Sequence, residues 1–190
     1  MTVSLCESVD LVLTPGAAPK AGKNRLHFDL TSTSAAHQRE LVDRALSLGA
    51  SPLDIGQRDV PWVVLADPAG NEFCVLEPRD EYAANGALAA LVIDTLDPSA
   101  VAAFWSRATG LPTSRSNSVV ATVRRDEGFW LEFIAVGTVK ADRNRLRLTL
   151  APDGADEAQR LEALGATVLC RDGDAVDMAD PEGNEFRLLG

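Results

Sequence analysis

His27, Cys74, Glu132, Arg147 and Arg187 are the side chains whose types could do chemistry, and each falls on a stretch that reads as a strand. An imidazole beside a thiol can move a proton or assist a nucleophile. The competing reading is a buried cysteine packing as a small hydrophobe, with His27 hydrogen-bonded in a sheet. Arg147 and Arg187 offer guanidinium forks that grip a carboxylate or phosphate through paired bonds, with Glu132 orienting one of them. An internal ion-pair network is the alternative for these three. Trp62 and Trp130 could stack a planar ligand, whereas Trp105 lies in a helical apolar stripe and reads as core. His27 and Glu132 are therefore the candidate catalytic groups. Arg147, Arg187, Trp62, Trp130 and Cys74 are the candidate ligand contacts.

The elements that must position these residues come in repeats. Lys20-Ala-Gly-Lys-Asn-Arg-Leu-His-Phe-Asp-Leu30 realigns with Lys140-Ala-Asp-Arg-Asn-Arg-Leu-Arg-Leu-Thr-Leu150, and Leu48-Gly-Ala50 echoes Leu164-Gly-Ala166. Ala66-Asp-Pro-Ala-Gly-Asn-Glu-Phe-Cys-Val-Leu76 then matches Ala179-Asp-Pro-Glu-Gly-Asn-Glu-Phe-Arg-Leu-Leu189 at 8 of 11 positions. Three landmarks in the same order mean duplication. In each copy an alternating strand (24–30) precedes a helix over 34–48, with Leu41, Val42, Ala45 and Leu48 at helical spacing and Gly49 as the stop. An apolar strand (60–66), the Asp67-Pro-Ala-Gly-Asn71 turn and a last strand (72–76) follow. Asp67/Asn71 and Asp180/Asn184 are turn chemistry rather than catalytic carboxylates. Glu72 and Glu185 read as structural, with Arg25 and Arg145 as partners.

The middle segment 87–139 reads as a more diverged copy. It has an apolar strand over 87–96, then an Asp97-Pro98 helix start. Val101, Phe104, Trp105 and Ala108 form the buried stripe, and a hairpin joins 119–123 to 129–136. Segments 3–5 and 10–13 align with the closing hairpin of that copy, but no strand and helix precede them. This predicts a first domain over 1–79 holding one and a half modules, a linker over 80–86, and a complete second domain over 87–190. The missing half implies a truncated start or completion by another chain.

A net charge of −10 argues against a phosphate-backbone partner, which needs clustered cations. Three cysteines without CxxC spacing argue against a disulfide scaffold or a zinc cluster. With no basic start followed by an apolar run, the expectation is a cytoplasmic protein with neither signal peptide nor membrane span.

The repeated unit ending in Asp-Pro-x-Gly-Asn resembles the βαβββ module of the vicinal-oxygen-chelate superfamily, which includes glyoxalases, bleomycin-resistance proteins and dioxygenases. The Lys-Asn-Arg-Leu-His and Gly-Asn-Glu-Phe-Cys phrases are similar to a glyoxalase-like subgroup common in actinobacteria. The resemblance implies an α+β fold of tandem βαβββ modules, with curved mixed sheets forming cups and, in metal-dependent members, four ligand positions per cup. In the second domain these positions fall at about Ala90, Glu132, Arg147 and Arg187. In the first they fall at about Val12, His27 and Cys74, with the fourth missing. Guanidinium groups donate no lone pair and repel a cation, and two donors do not complete a tetrahedral site. No cofactor is therefore expected, and zinc at His27 and Cys74 is not. The implied function is a metal-free cup binding a small organic molecule, an anion where the arginines contribute, in a possible homodimer. The alternative is a metal-independent isomerase, lyase or cyclase using His27 or Glu132. The ligand inventory disfavours a metal-dependent lyase or dioxygenase.

Overall fold

The structure, a computed structural model, describes residues 2–6, 9–15, 20, 22–126 and 128–190. Part of the N-terminal segment read for a leader, and Glu127 in the middle hairpin turn, lie outside them. The chain forms two compact units, residues 1–91 with 126–130 and residues 92–125 with 131–190.

In the first unit, β1 (Thr2–Cys6) and β2 (Val9–Val12) form an antiparallel hairpin. The repeat then runs through β3 (Leu26–Leu30), α1 (Ala35–Ser47), β4 (Ser51–Pro52), β5 (Val63–Ala66) and β6 (Glu72–Val75), ordered β4-β5-β6-β3. Strands β3 and β6 are parallel, because α1 and the following hairpin carry the chain back to the starting end of the sheet. Ser34 caps α1 by accepting the His37 N–H at 3.0 Å, and Gly49 leaves the helix at φ +95°. Leu41, Val42 and Ala45 are half-buried as their spacing predicts, but Leu48 is 71% exposed. Leu48 is the C-cap, where helical geometry ends, so the stripe no longer governs its direction. The polar stretch after β6 contains a 3-10 turn, Asp80–Tyr82, whose Tyr82 is buried.

Strand β7 (Leu88–Thr95) begins in the first unit and ends in the second, buried along its whole length, as an apolar run should be. In the second unit α2 (Pro98–Thr109) starts where expected. Asp97 accepts the Ala100 N–H at 3.0 Å, Pro98 opens the first turn, and Gly110 closes the helix at φ +70°. Strands β8 (Thr113–Ser116), β9 (Val120–Val123) and β10 (Trp130–Ala135) follow, with β9 and β10 forming the expected hairpin. Strand β8 is exposed throughout, so it carries no apolar alternation for a sequence reading to detect. The last repeat has β11 (Leu148–Leu150), α3 (Glu157–Ala163), β12 (Thr167–Asp172), β13 (Ala175–Ala179) and β14 (Glu185–Leu188), ordered β11-β14-β13-β12 with β11 and β14 parallel. This is the β3-β6-β5-β4 arrangement again.

The duplicated turn is built identically in both copies. Asp67 Oδ1 accepts the Ala69 and Asn71 N–H groups at 2.8 and 2.7 Å, and Asp180 Oδ1 accepts those of Glu182 and Asn184 at 2.9 Å each. Gly70 and Gly183 both sit at φ +82°, which a side chain would strain. The glutamates that follow are struts, although their cation is a lysine where the sequence suggested Arg25 and Arg145. Glu72 binds Lys20 Nζ and the Asn24 N–H, and Glu185 binds Lys140 Nζ at 2.8 Å and the Asn144 N–H at 3.0 Å. Each strut ties the segment entering a repeat to its last strand. Burial alone would raise the Glu185 pKa, but the Lys140 and Asn144 bonds outweigh it and hold the carboxyl below its ordinary range. Its stabilisation is therefore full above the ordinary glutamate pKa and is lost as pH falls through the lowered native value. Glu185→Ala should cost roughly 1.5–3 kcal/mol, the range for charged hydrogen bonds. Denaturant midpoints measured across the acid range should show that loss shrinking as pH falls, with ligand binding unchanged.

Candidate functional site

Strand β3 alternates, so His27 and Asp29 project from one face while Phe28 projects from the other. The parallel register sets Asp29 beside Cys74 and Phe28 beside Phe73. His27, Asp29 and Cys74 therefore meet on one face of the β3–β6 pair. His27 Nε2 lies 3.5 Å from Asp29 Oδ1, the Cys74 thiol donates to the Asp29 carboxylate, and one donor atom from each residue lies within 4.8 Å of the others. All three are shielded. The His27 and Asp29 side chains are 12% and 11% exposed, Cys74 is 5% exposed, and His27 Nδ1 is buried without a hydrogen-bond partner.

Burial, reinforced by the charge of Lys23, pulls the His27 pKa down to about 3, so the imidazole is neutral at physiological pH. Burial and then the Asp29 carboxylate push the Cys74 thiol well above the ordinary cysteine range, against a weaker pull from Lys23 and Arg79. A general base works best when its pKa lies near the operating pH, and a nucleophilic cysteine needs a stabilised thiolate. The trio is thus poorly set for proton transfer or nucleophilic attack by its own residues.

Sequence reasoning missed Asp29, because an acid between two apolar strand residues reads as a solvent-facing position. Its one signal was the period-two spacing from His27. The tryptophans are engaged elsewhere. The Arg79 guanidinium lies 5.7 Å from the Trp62 ring centroid and 5.9 Å from that of Tyr82, while its Nε donates to Glu77 at 2.6 Å. Trp130 is 7% exposed and packs on Tyr82 with centroids 4.5 Å apart. Among the other candidates, Glu132 is buried in β10 and accepts from Thr122 Oγ1 at 3.4 Å. Arg187 on β14 pairs directly with Asp177 on β13, and it binds Asp172 at 2.7 Å and Asp177 at 3.5 Å. Arg147 is exposed just ahead of β11. The positions assigned to metal ligands in the second domain hold one oxygen donor, Glu132, together with Ala90 and two guanidiniums, and do not fit a divalent ion.

The fold has solved relatives. Glyoxalase I from Zea mays superposes with a TM-score of 0.60 at 16% identity, covering 88% of this chain and 69% of that one. A single-site variant of the same enzyme gives 0.57 at 16% identity over 88% and 70%. At such identities the likeness shows the fold alone. No curated protein matches this sequence. A family model described as a glyoxalase-like domain matches residues 3–76 and 90–189, most of the chain, so the repeats, the mixed sheets and this match together make the protein a member of the glyoxalase-like domain family within the vicinal-oxygen-chelate superfamily.

Proposed function

We propose that this protein binds a small organic molecule at the His27–Asp29–Cys74 face of its first unit. The observation that carries the reading is the buried His27 Nδ1 without a partner beside a carboxylate and a thiol. Leaving such a group unsatisfied costs about 1–3 kcal/mol, which a bound ligand would offset. The guanidinium pair of the second unit supports an anion site less well, because Asp172 and Asp177 already engage Arg187. Catalysis by His27 unaided is the second reading, and the depressed basicity of its imidazole favours binding over turnover. A cytoplasmic homodimer goes with the proposal. The exposed free thiol of Cys170 supports a reducing compartment, and light scattering tests the dimer.

The test is a thermal-shift screen of small polar and aromatic compounds on wild type, His27→Ala and Arg187→Ala. A stabilising compound whose effect disappears in His27→Ala and persists in Arg187→Ala is the expected result. The opposite pattern moves the site to the second unit and overturns the reading.

A further inference from the structure

We infer that the last repeat holds a cleft for a free α-amino acid with an apolar side chain, set between α3 and the β12–β13 hairpin. The inference does not rest on the His27–Asp29–Cys74 face, and all of its residues lie in the second unit. The duplication itself exposes the cleft. Helices α1 and α3 both stop at the matched Leu-Gly-Ala phrase, yet α1 has 13 residues and α3 has 7. The shortfall is therefore at the start of α3, and it amounts to roughly one and a half turns of helix.

In the first repeat those turns cover the sheet. Gln38 donates its amide to the Pro61 and Val75 carbonyls at 3.0 Å each, and Val75 is fully buried. The register that pairs Val63 with Val75 pairs Val176 with Leu188 in the last repeat, so the same strand ends lie there without those turns. A cleft of about 460 Å³ takes their place, floored by Val176 and Leu188 and walled by Pro152, Ala155, Ala158 and Leu189. Its size is that of a small-molecule pocket, and a Cβ added at Gly154 on its wall would meet nothing within 4 Å.

Two charges at the rim decide what this apolar cleft takes. Arg171 is the cross-strand neighbour of Val176, Asp174 stands in the hairpin turn, and both are exposed. Among the described residues, no hydrogen bond or ion pair engages either side chain. The remaining charged group of the lining, Glu157, is already held by Arg160 at 2.5 and 2.8 Å. A guanidinium fork grips a carboxylate through paired bonds, and a carboxylate accepts from an ammonium. An apolar acid alone would bring its charge up against Asp174, and an apolar amine alone would bring its charge up against Arg171. A zwitterion with an apolar side chain satisfies both and removes the floor of the cleft from water.

The experiment titrates the full chain with L-leucine and follows the backbone amides by NMR. Expected are saturable shifts centred on Ala155, Ala158, Arg171, Asp174 and Leu189. Isocaproate, which lacks the ammonium, and isoamylamine, which lacks the carboxylate, should each bind at least about fivefold more weakly, the upper value for one exposed ion pair. Arg171→Gln should weaken leucine binding by a similar factor without weakening isoamylamine, and Asp174→Asn should weaken leucine without weakening isocaproate. Ala158→Phe should fill the cleft and abolish binding. Circular dichroism and denaturation midpoints establish that each variant is folded, and the two exposed rim positions test the inference should Ala158→Phe not fold. A folded wild type with no saturable shift at tens of millimolar leucine overturns it. So do shifts centred away from these residues, or an analogue that binds as tightly as leucine.

Discussion

Replacing Trp105 with alanine should destabilise the second unit by about 3–5 kcal/mol, the range for truncating a large buried aromatic. Trp105 is 1% exposed and stands edge-on to Phe104 and Phe186, with centroid separations of 5.4 and 5.3 Å. Its loss would weaken the contact between the α2 stripe and the last strand of the unit, leaving Phe104 against Phe186 at 6.2 Å and a void beside these two rings. Denaturant unfolding followed by tryptophan fluorescence and by far-UV circular dichroism would measure it. With Trp105 gone, Trp62 reports from the first unit and far-UV circular dichroism follows the second. A loss below about 1 kcal/mol would show that α2 does not hold the unit together.

Asp180 gives the second large effect, with Asp67 as its built-in control. Both carboxylates organise the same turn, but Asp180 Oδ2 also accepts the Trp105 indole N–H at 3.1 Å, and Asp180 is 3% exposed. Asp180→Ala would strand the N–H groups of Glu182 and Asn184, the Asn184 amide and the indole in a buried setting. Each unsatisfied buried donor costs about 1–3 kcal/mol, and relaxation keeps the sum below simple addition. The expected loss is about 3–4 kcal/mol. Asp67→Ala opens a turn whose Pro68 and Ala69 are exposed to water, which satisfies the freed donors, so it should cost about 1 kcal/mol. Equal losses would mean that the indole bond and the burial contribute little.

The fold is legible in the sequence because its punctuation is local chemistry. Asp-Pro-x-Gly-Asn specifies a turn, Asp97-Pro98 and Ser34 specify helix starts, and the spacing from Val101 to Ala108 specifies which side of α2 is buried. The site is less legible because it is made by register. Asp29 becomes a neighbour of Cys74 only through the parallel pairing of β3 with β6. Arg187 is occupied because Asp177 lies opposite it and Asp172 is brought within reach along β12, a strand whose bulge between Val168 and Cys170 leaves no mark in the hydrophobic pattern. Trp62 and Trp130 meet Arg79 and Tyr82, side chains from the polar stretch expected as a linker, which no pattern of ring spacing points to.

The parallel pairing also governs when the site can exist. Phe28 pairs with Phe73, about 45 residues further along the chain. Such distant partners pay loop-closure entropy before any contact rewards it, which slows the step that joins them. During synthesis, His27 and Asp29 emerge well before Cys74, so the trio is incomplete until the Asp-Pro-Ala-Gly-Asn turn has formed and the strand after it has docked. Completion of the site therefore reports that the repeat has closed, and a ligand captured there would act on the folded state alone, drawing the equilibrium toward the finished module.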